Sequence, residues 1–550
     1  MAIKSDTKYI FVMGGVLSGL GKGIAVSSIA KLLQSKGYRV TAMKIDPYVN
    51  VDAGTMNPIE HGEVFVTADG LETDQDIGNY ERFLNTELTR INYMTTGQVY
   101  LSVIKKERNL EYGGKCVEVV PHIPEEVIRR IVKVGNKTKA NFVLIEIGGT
   151  VGEYQNLIFL EAARMMHLKK KGCVQFILVS YFPIPSKLGE MKTKPTQYAI
   201  RTLNSAGIQP DFILGRSERP LDMPRRETLS NNCNIDTKDI ISAPDVDNIY
   251  KIPLILEKQK LAERILAKFG IKAKKTDLNE WNKIVRTAEK SQRKVKIAIV
   301  GKYFTTGNYT LVDSYISVIE AVKHAAWANK VTPEFHWVES EAYEKKTSQI
   351  KELLDYDGII VPQGWGSRGS EGKIKAIQYA RIHKIPYFGL CYGMQMAVVE
   401  FARHVAGLKN ANSLEINPKT PYPVIHIMPE QEKYLQKKQY GGTIRLGDWP
   451  CRLVKGTRVR QAYGKQLVQE RHRHRYEFNL QYQDKLTKKG LVISGTSPDK
   501  KLIETIELSD HPFFMGTQFH PEYKSCPENP HPLFVAFIKA SLKPNKVRNK

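Results

Sequence analysis

Two stretches of this chain combine residue types at the spacing that particular chemistry requires. The first, Gly14-Gly15-Val16-Leu17-Ser18-Gly19-Leu20-Gly21-Lys22-Gly23, sets glycines around one lysine. Glycine lets a backbone curl round phosphate oxygens, a following helix amino terminus offers free N–H groups, and the lysine adds positive charge. The spacing is one residue longer than a strict P-loop, and Gly23 stands where such loops place Ser or Thr. A magnesium ion at this turn therefore needs oxygen ligands from elsewhere. Asp76, in the acidic stretch Glu72-Thr73-Asp74-Gln75-Asp76, and Glu146, after the apolar run Phe142-Val143-Leu144-Ile145, are the candidates. One or two carboxylates suffice when phosphates and water complete the shell.

The second stretch, Tyr387-Phe388-Gly389-Leu390-Cys391-Tyr392-Gly393-Met394-Gln395, reads as strand, sharp turn and helix with Cys391 at the bend. Such an elbow exposes a nucleophile, and the helix amino terminus favours the thiolate. A lone cysteine is more often inert core. Here Gln518-Phe519-His520-Pro521-Glu522 supplies a base and an orienting acid. Two residues apart in an extended segment, His520 and Glu522 can lie on one side.

Positioning these groups takes two α/β domains. The first runs from Tyr9 to about Phe269, with a strand over Tyr9 to Val12, the Gly-rich turn, a helix showing Ile29, Leu32 and Leu33 on one face, and a strand near Val40. Glu146 falls at the carboxyl edge of its strand, where open α/β sheets bind ligands. The second domain begins at the strand Val295 to Val300 and continues to about Leu542. The expected architecture is two doubly wound parallel-sheet domains, over 1–270 and 295–550. A polar, Lys-rich linker, 271–294, joins them and is helical around Leu278 to Ala288.

Bulk properties agree with a two-domain enzyme. A chain of 550 residues exceeds what one core organises, and its 42% apolar and 25% charged residues are ordinary globular values. No apolar run has membrane-spanning length. The start, MAIKSDTKYIFVMGG, lacks the pattern of a secretory signal. Six dispersed cysteines without a Cys-x-x-Cys pair suggest reduced thiols, so a cytoplasmic location is expected. The net charge of +25 raises nucleic-acid binding. However, the basic runs Lys169 to Lys171, Lys272 to Lys275 and Lys543 to Lys550 have no interleaved stacking aromatics. They read as solvated faces, and neither a nucleic-acid nor a membrane partner is expected.

Several longer segments are more specific. Gly19-Leu20-Gly21-Lys22-Gly23-Ile24, Lys44-Ile45-Asp46-Pro47-Tyr48, Asn50 to Met56, His61-Gly62-Glu63-Val64-Phe65-Val66, Tyr80-Glu81-Arg82-Phe83, Glu146 to Gly152 and Lys192-Thr193-Lys194-Pro195-Thr196-Gln197 resemble the signature segments of the CTP synthase family. The likeness covers nearly the whole chain. It implies that Gly19 to Ile24 (including Leu20, Gly21, Lys22 and Gly23), with Asp76, Asp245 and Val246, bind ATP, and that Asp76 and Glu146 hold Mg²⁺. It assigns Ser18, Lys192, Thr193, Lys194, Pro195, Thr196 and Gln197 to UTP, and Glu153, Tyr154 and Gln155 to UTP or the feedback inhibitor CTP. The implied reaction transfers the ATP γ-phosphoryl group to O4 of UTP, after which ammonia displaces phosphate at C4.

The carboxy-terminal half resembles class I glutamine amidotransferases, with Cys391, His520 and Glu522 as triad. Gly364, Tyr392, Gly393, Met394, Gln395, Glu415 and Arg475 then hold L-glutamine. Arg475 is a sensible partner for an α-carboxylate, and this likeness outweighs reading Arg471-His472-Arg473-His474-Arg475 as a solvated turn or metal-binding histidine pair. The resemblance further implies a homotetramer and GTP activation through Arg368-Gly369-Ser370-Glu371-Gly372. It also implies an ammonia exit lined by Pro58, His61 and Val64. Four departures stand out: Gln363 replaces the first glycine of Pro-Gly-Gly, Tyr392 replaces Leu, Glu153-Tyr154-Gln155 replaces Asp-Ile-Glu, and Thr228 replaces a Lys. The rival readings are another ATP-dependent amidoligase, such as the cobyrinic-acid type, and a nucleotide-binding relative without turnover. The Lys192 to Gln197 segment argues against the first; the triad and Lys22 argue against the second.

Overall fold

Tyr9, Ile10, Phe11 and Val12 are apolar without alternation, as a strand covered on both faces requires, and all four are fully buried. They belong to Lys8–Gly14, the middle strand of a seven-stranded sheet. Its order is Tyr93–Thr95, Val40–Asp46, Phe142–Ile147, Lys8–Gly14, Val174–Tyr181, Phe212–Ser217, Ile240–Pro244. Every pairing is parallel. The strand order reverses about Lys8–Gly14, so the loops leaving the neighbouring strands diverge and open a crevice at the carboxyl edge.

The computed structural model of the chain describes residues 7–544 apart from 18, 188, 303–304, 307–308, 311, 429–430, 432 and 434–441. It divides into two compact units, Met1–Asp52 with Asp76–Val285, and Ala53–Gln75 with Arg286–Lys550. The segment Ala53–Gln75, inside the expected first domain, thus packs with the second unit. There Phe65–Val66 and Glu72–Thr73 form a short antiparallel hairpin. Within the Lys-rich stretch 271–294 the helix spans Asn279–Lys290. It is more than a tether: Trp281 is 1% exposed, its Nε1 donates to the Tyr250 carbonyl at 2.8 Å, and its ring lies 5.2 Å from Phe83.

The second unit carries a nine-stranded sheet. Its parallel part is Thr332–Glu339, Lys294–Gly301, Gly358–Val361, Tyr387–Leu390 and Phe514–Thr517. Four antiparallel strands continue it: Ile503–Leu508, Leu491–Thr496, Arg445–Leu453 and Leu467–His474. Alternate residues of one strand enter opposite cores, Ala298 and Val300 on one face and Ile297 and Ile299 on the other, so both faces are covered. Both sheets fit the expected α/β class, with the antiparallel extension as added detail. Among the described residues no helix is long and apolar enough to cross a membrane.

Candidate active sites

In the first unit the Gly-rich turn follows Lys8–Gly14 and opens the helix Lys22–Ser35. Gly19 and Gly21 have φ of 69° and 73°, left-handed values that favour glycine, and Gly21 is the helix N-cap. Leu20 and Ile24 flank that cap; Ser18 lies outside the described residues. Lys22 is buried and donates from Nζ to the Gly149 carbonyl at 2.8 Å, and burial lowers its pKa. A Cβ on Gly23 would overlap Asp76 Oδ1. The hydroxyl residue that a strict P-loop uses for its metal is therefore replaced, in space, by the Asp76 carboxylate.

Asp76 starts the helix Asp76–Leu84, and Glu146 lies on the buried strand Phe142–Ile147. Both carboxylates converge on Lys44 of strand Val40–Asp46: Lys44 Nζ donates to Asp76 Oδ2 and, at 2.9 Å, to Glu146 Oε1. Tyr80 donates its hydroxyl to Glu146 Oε2. Burial, reinforced by the negative charge of Asp76, pushes the Glu146 carboxyl up to about 7 despite the opposing pull of Lys44 and Lys22. Two acids gathered round one cation form a donor set suited to Mg²⁺ with phosphate and water as further ligands. No cluster of three His, Cys, Asp or Glu able to hold a metal occurs among the described residues. Lys44 and Tyr80 stand in segments that resemble the family's, but the sequence alone assigns them no role at the site. A lysine within a largely apolar strand is the signal for Lys44, which the structure places directly opposite Glu146 in the parallel register.

The segments expected to bind nucleotides follow the carboxyl ends of strands of the same sheet. Arg216, beside Gly21, pairs with Asp245 at 2.5 Å, and Val246 follows on that edge. Pro195 occupies the first turn of the helix Lys194–Ser205. Thr196 is buried and its hydroxyl meets that of Ser180 at 2.8 Å, while Ser180 is also the side chain nearest to Gly15. Lys192 is paired with Glu190 at 2.6 Å. Lys194 donates to Gln197, which donates in turn to Thr193. Glu153 Oε1 accepts from the Thr150 hydroxyl at 2.6 Å, and Gln155 Nε2 donates to Glu153 Oε2, also at 2.6 Å. Thr228 bonds back to its own helix at the Pro224 carbonyl. Tyr154 and Gln155 wall a cleft of about 510 Å³ with Val119, Val120 and Leu157.

In the second unit Cys391 joins Tyr387–Leu390 to the helix Tyr392–His404 with φ 50° and ψ −98°, a strained elbow. A Cβ on Gly393 would overlap the Val361 carbonyl, so the bend requires glycine there. His520 Nδ1 is 2.7 Å from Glu522 Oε1. The pair comes together through a tight turn, Pro521–Lys524, and not through the extended geometry expected from the sequence. Burial works against a charged His520, but the charges of Glu522 and Cys391 raise it to about 10. Gln518 Nε2 donates to Cys391 Sγ at 3.6 Å and accepts at Oε1 from Gln395 Nε2 at 3.3 Å.

Cys391, His520, Gly364, Tyr392, Gln395, Glu415 and Arg475 line one small cavity of about 10 Å³, room for roughly one water. Gly393 and Met394 support it from the first turn of the Cys391 helix. Glu415 accepts from the Gly366 N–H at 2.7 Å, and burial raises its pKa. Arg475 donates to the Thr443 hydroxyl at 3.0 Å. Tyr392 donates to the Gly366 carbonyl at 2.7 Å, while Lys302 and Lys373 stand 5.4 and 5.1 Å from its ring. Burial lowers Lys302 to about 8. Leu at 392 could supply neither the hydrogen bond nor the cation–π faces. Arg471 to His474 lie in a buried strand, with His472 bonded to Glu504 at 2.8 Å and Arg473 to Glu72 at 2.8 Å.

Of the residues assigned to ammonia exit and to GTP, Val64 is buried and His61 lies 3.7 Å from Asp74, while the side chain of Pro58 is outside the described residues. Arg368 donates to the Lys302 carbonyl, and Glu371 pairs with Arg403 at 2.8 Å.

Known proteins match both halves of the chain. Residues 8–271 match the family described as CTP synthase N-terminus, and residues 310–540 match glutamine amidotransferase class-I. A CTP synthase of Caldanaerobacter subterraneus is 51% identical over 537 residues, covering 97% of this chain and 98% of that protein. One from Carboxydothermus hydrogenoformans is 52% identical over 542 residues, 98% and 100% of the two chains. The glutaminase domain of Trypanosoma brucei CTPS, solved with bound acivicin, is similar at 37% identity and a TM-score of 0.41, covering 45% of this chain and 93% of that one. Matched along both units, the chain belongs to the CTP synthase family of glutamine-hydrolysing ligases.

Proposed function

We propose that the chain makes CTP from UTP, ATP and L-glutamine in two linked half-reactions. The observation that carries this reading is the Cys391 elbow with His520 held by Glu522, on a chain that also presents Lys22, Lys44, Asp76 and Glu146 round a Gly-rich turn. Cys391 attacks the glutamine carboxamide, and His520, protonated through neutral pH, gives its proton to the departing ammonia. Water then hydrolyses the thioester to glutamate. Backbone N–H groups at Gly364 and Tyr392 take the developing oxyanion.

In the other unit Lys22 orients the ATP phosphates and the Lys192 to Gln197 segment holds UTP. Magnesium, when bound, neutralises charge on the transferring phosphoryl group, and Asp76 and Glu146 would hold it. O4 of UTP accepts the γ-phosphoryl group, ammonia adds at C4, and phosphate leaves, which balances to CTP, ADP and phosphate. GTP activation at Arg368 to Gly372 belongs to the same reading. So does a homotetramer, supported by the apolar cleft where Tyr154 is 90% and Val119 55% exposed.

The test is CTP formation, followed by absorbance, from UTP, ATP, Mg²⁺ and ammonia, with omission of each component and replacement of UTP by other acceptors. Strict dependence on UTP and ATP is expected. ATP hydrolysis driven equally by an unrelated carboxylate acceptor would overturn the reading.

A further inference from the structure

Gln363 follows Pro362 at the end of strand Gly358–Val361 and lines the Cys391 cavity. Its backbone is fixed by side chains: the Pro362 carbonyl accepts from buried Lys373 at 3.4 Å, and the Gln363 carbonyl accepts from the Tyr315 hydroxyl at 3.4 Å. Its side chain does something a glycine could not. Gln363 Nε2 donates to Glu63 Oε1 at 3.3 Å, and Glu63 is 3% exposed. The amide cannot be turned round, because its oxygen would then face a carboxylate. The other oxygen of Glu63 accepts from the backbone N–H of Ser317 at 3.1 Å and from its hydroxyl.

The next residue, Val64, is held by Tyr523, a neighbour of His520, which lines the same cavity. The Val64 carbonyl accepts from the Tyr523 hydroxyl at 3.0 Å. The Tyr523 ring stacks on catalytic His520 at 5.0 Å with the planes 13° apart. Ser317 thus holds Glu63 to its own helix, while two bonds pin the 63–64 pair to the cavity surroundings, one from the loop that precedes Gly364 and one from Tyr523, which stacks on the triad histidine.

We infer that Gln363 is a positioning residue that latches Glu63 to the glutaminase cavity and so keeps released ammonia from escaping to water. The inference rests on the reading that glutamine hydrolysis feeds CTP synthesis. Ammonia is set free between the two pins. With both closed, it leaves along the 63–64 segment; with the Gln363 pin open, that segment parts from the cavity wall and ammonia reaches solvent and protonates. Gln363 itself touches neither reacting atom.

The test compares wild type with Gln363→Leu, Gln363→Glu and the exchange Gln363→Glu with Glu63→Gln. Glutamate release and CTP formation are measured with glutamine, and CTP formation is measured separately with ammonia. In both single variants CTP per glutamate should fall about ten-fold or more, the scale of one charge-assisted hydrogen bond. CTP from ammonia should stay near wild type, since it bypasses the cavity. The exchange rebuilds the bond with donor and acceptor reversed: the amide now at position 63 accepts from Ser317 and donates to the carboxylate now at position 363. It should restore the ratio. An unchanged ratio in the single variants overturns the inference, as does an exchange no better than Gln363→Glu alone. If the Leu variant fails to fold, seen as lost ammonia-dependent synthesis, the Glu pair decides. Wild type making no CTP from either donor would instead sink the proposed function.

Discussion

At the residue scale both candidate sites depend on where charge is held. His520 keeps its proton to about 10 because Glu522 and Cys391 outweigh the cost of burial. Glu522→Gln removes one of those charges, so the proton is lost at lower pH. The alkaline fall of glutamine hydrolysis should move down in pH, with kcat reduced by roughly 10³-fold or more as the ring loses its orienter. An unshifted pH profile would contradict the assignment. Glu153 and Gln155 give a second prediction. Glu153 Oε1 accepts from the Thr150 N–H and hydroxyl and Oε2 from Gln155, whereas a glutamate at 155 would offer a nucleotide hydroxyl a second carboxylate. Restoring Glu153→Asp with Gln155→Glu should tighten CTP inhibition several-fold at fixed UTP, about 1 kcal/mol for a carboxylate in place of an amide. Inhibition no tighter than in the natural protein would mean that these substitutions are neutral.

At the element scale much was legible because periodicity and turn chemistry agree. The uninterrupted apolar run of Tyr9 to Val12, the glycines before Lys22 and the elbow around Cys391 each name one local structure, and each occurs in place. What the sequence hid were contacts made across the fold. Lys44 and Asp76 are 32 positions apart, and Asp76 fills the space beside Gly23 only because the helix Asp76–Leu84 packs on Lys22–Ser35. Gly23→Ser should therefore displace Asp76 and lower ammonia-dependent CTP synthesis on the order of 10²-fold, while sparing glutaminase, since a shift of about 1 Å is enough for such a loss. Equal synthesis in that variant would show that Asp76 has no part in the site. The helix Asn279–Lys290 was legible only as polar and partly helical. Its largest apolar residue, Trp281, is buried against Tyr250 and Phe83. Trp281→Ala should cost the first unit about 3–5 kcal/mol, read as an earlier unfolding transition of that unit with the second unchanged.

At the scale of the whole molecule, motif reading assigned one candidate centre to each domain but not the membership of Ala53–Gln75, which is early in sequence and packs with the second unit. Nothing local marks that choice. It is made by distant partners, Arg473 on Glu72, Tyr523 on Val64 and Gln363 on Glu63. The central claim is that one chain runs two separable chemistries joined by ammonia. The most direct measurement follows CTP by absorbance with glutamine or ammonia as donor in Cys391→Ala and Lys22→Ala, alongside glutamate release. Cys391→Ala should make CTP from ammonia and none from glutamine, whereas Lys22→Ala should make none from either donor yet still release glutamate. Loss of ammonia-dependent synthesis in a folded Cys391→Ala protein, or CTP made at the normal rate by Lys22→Ala, would contradict the account.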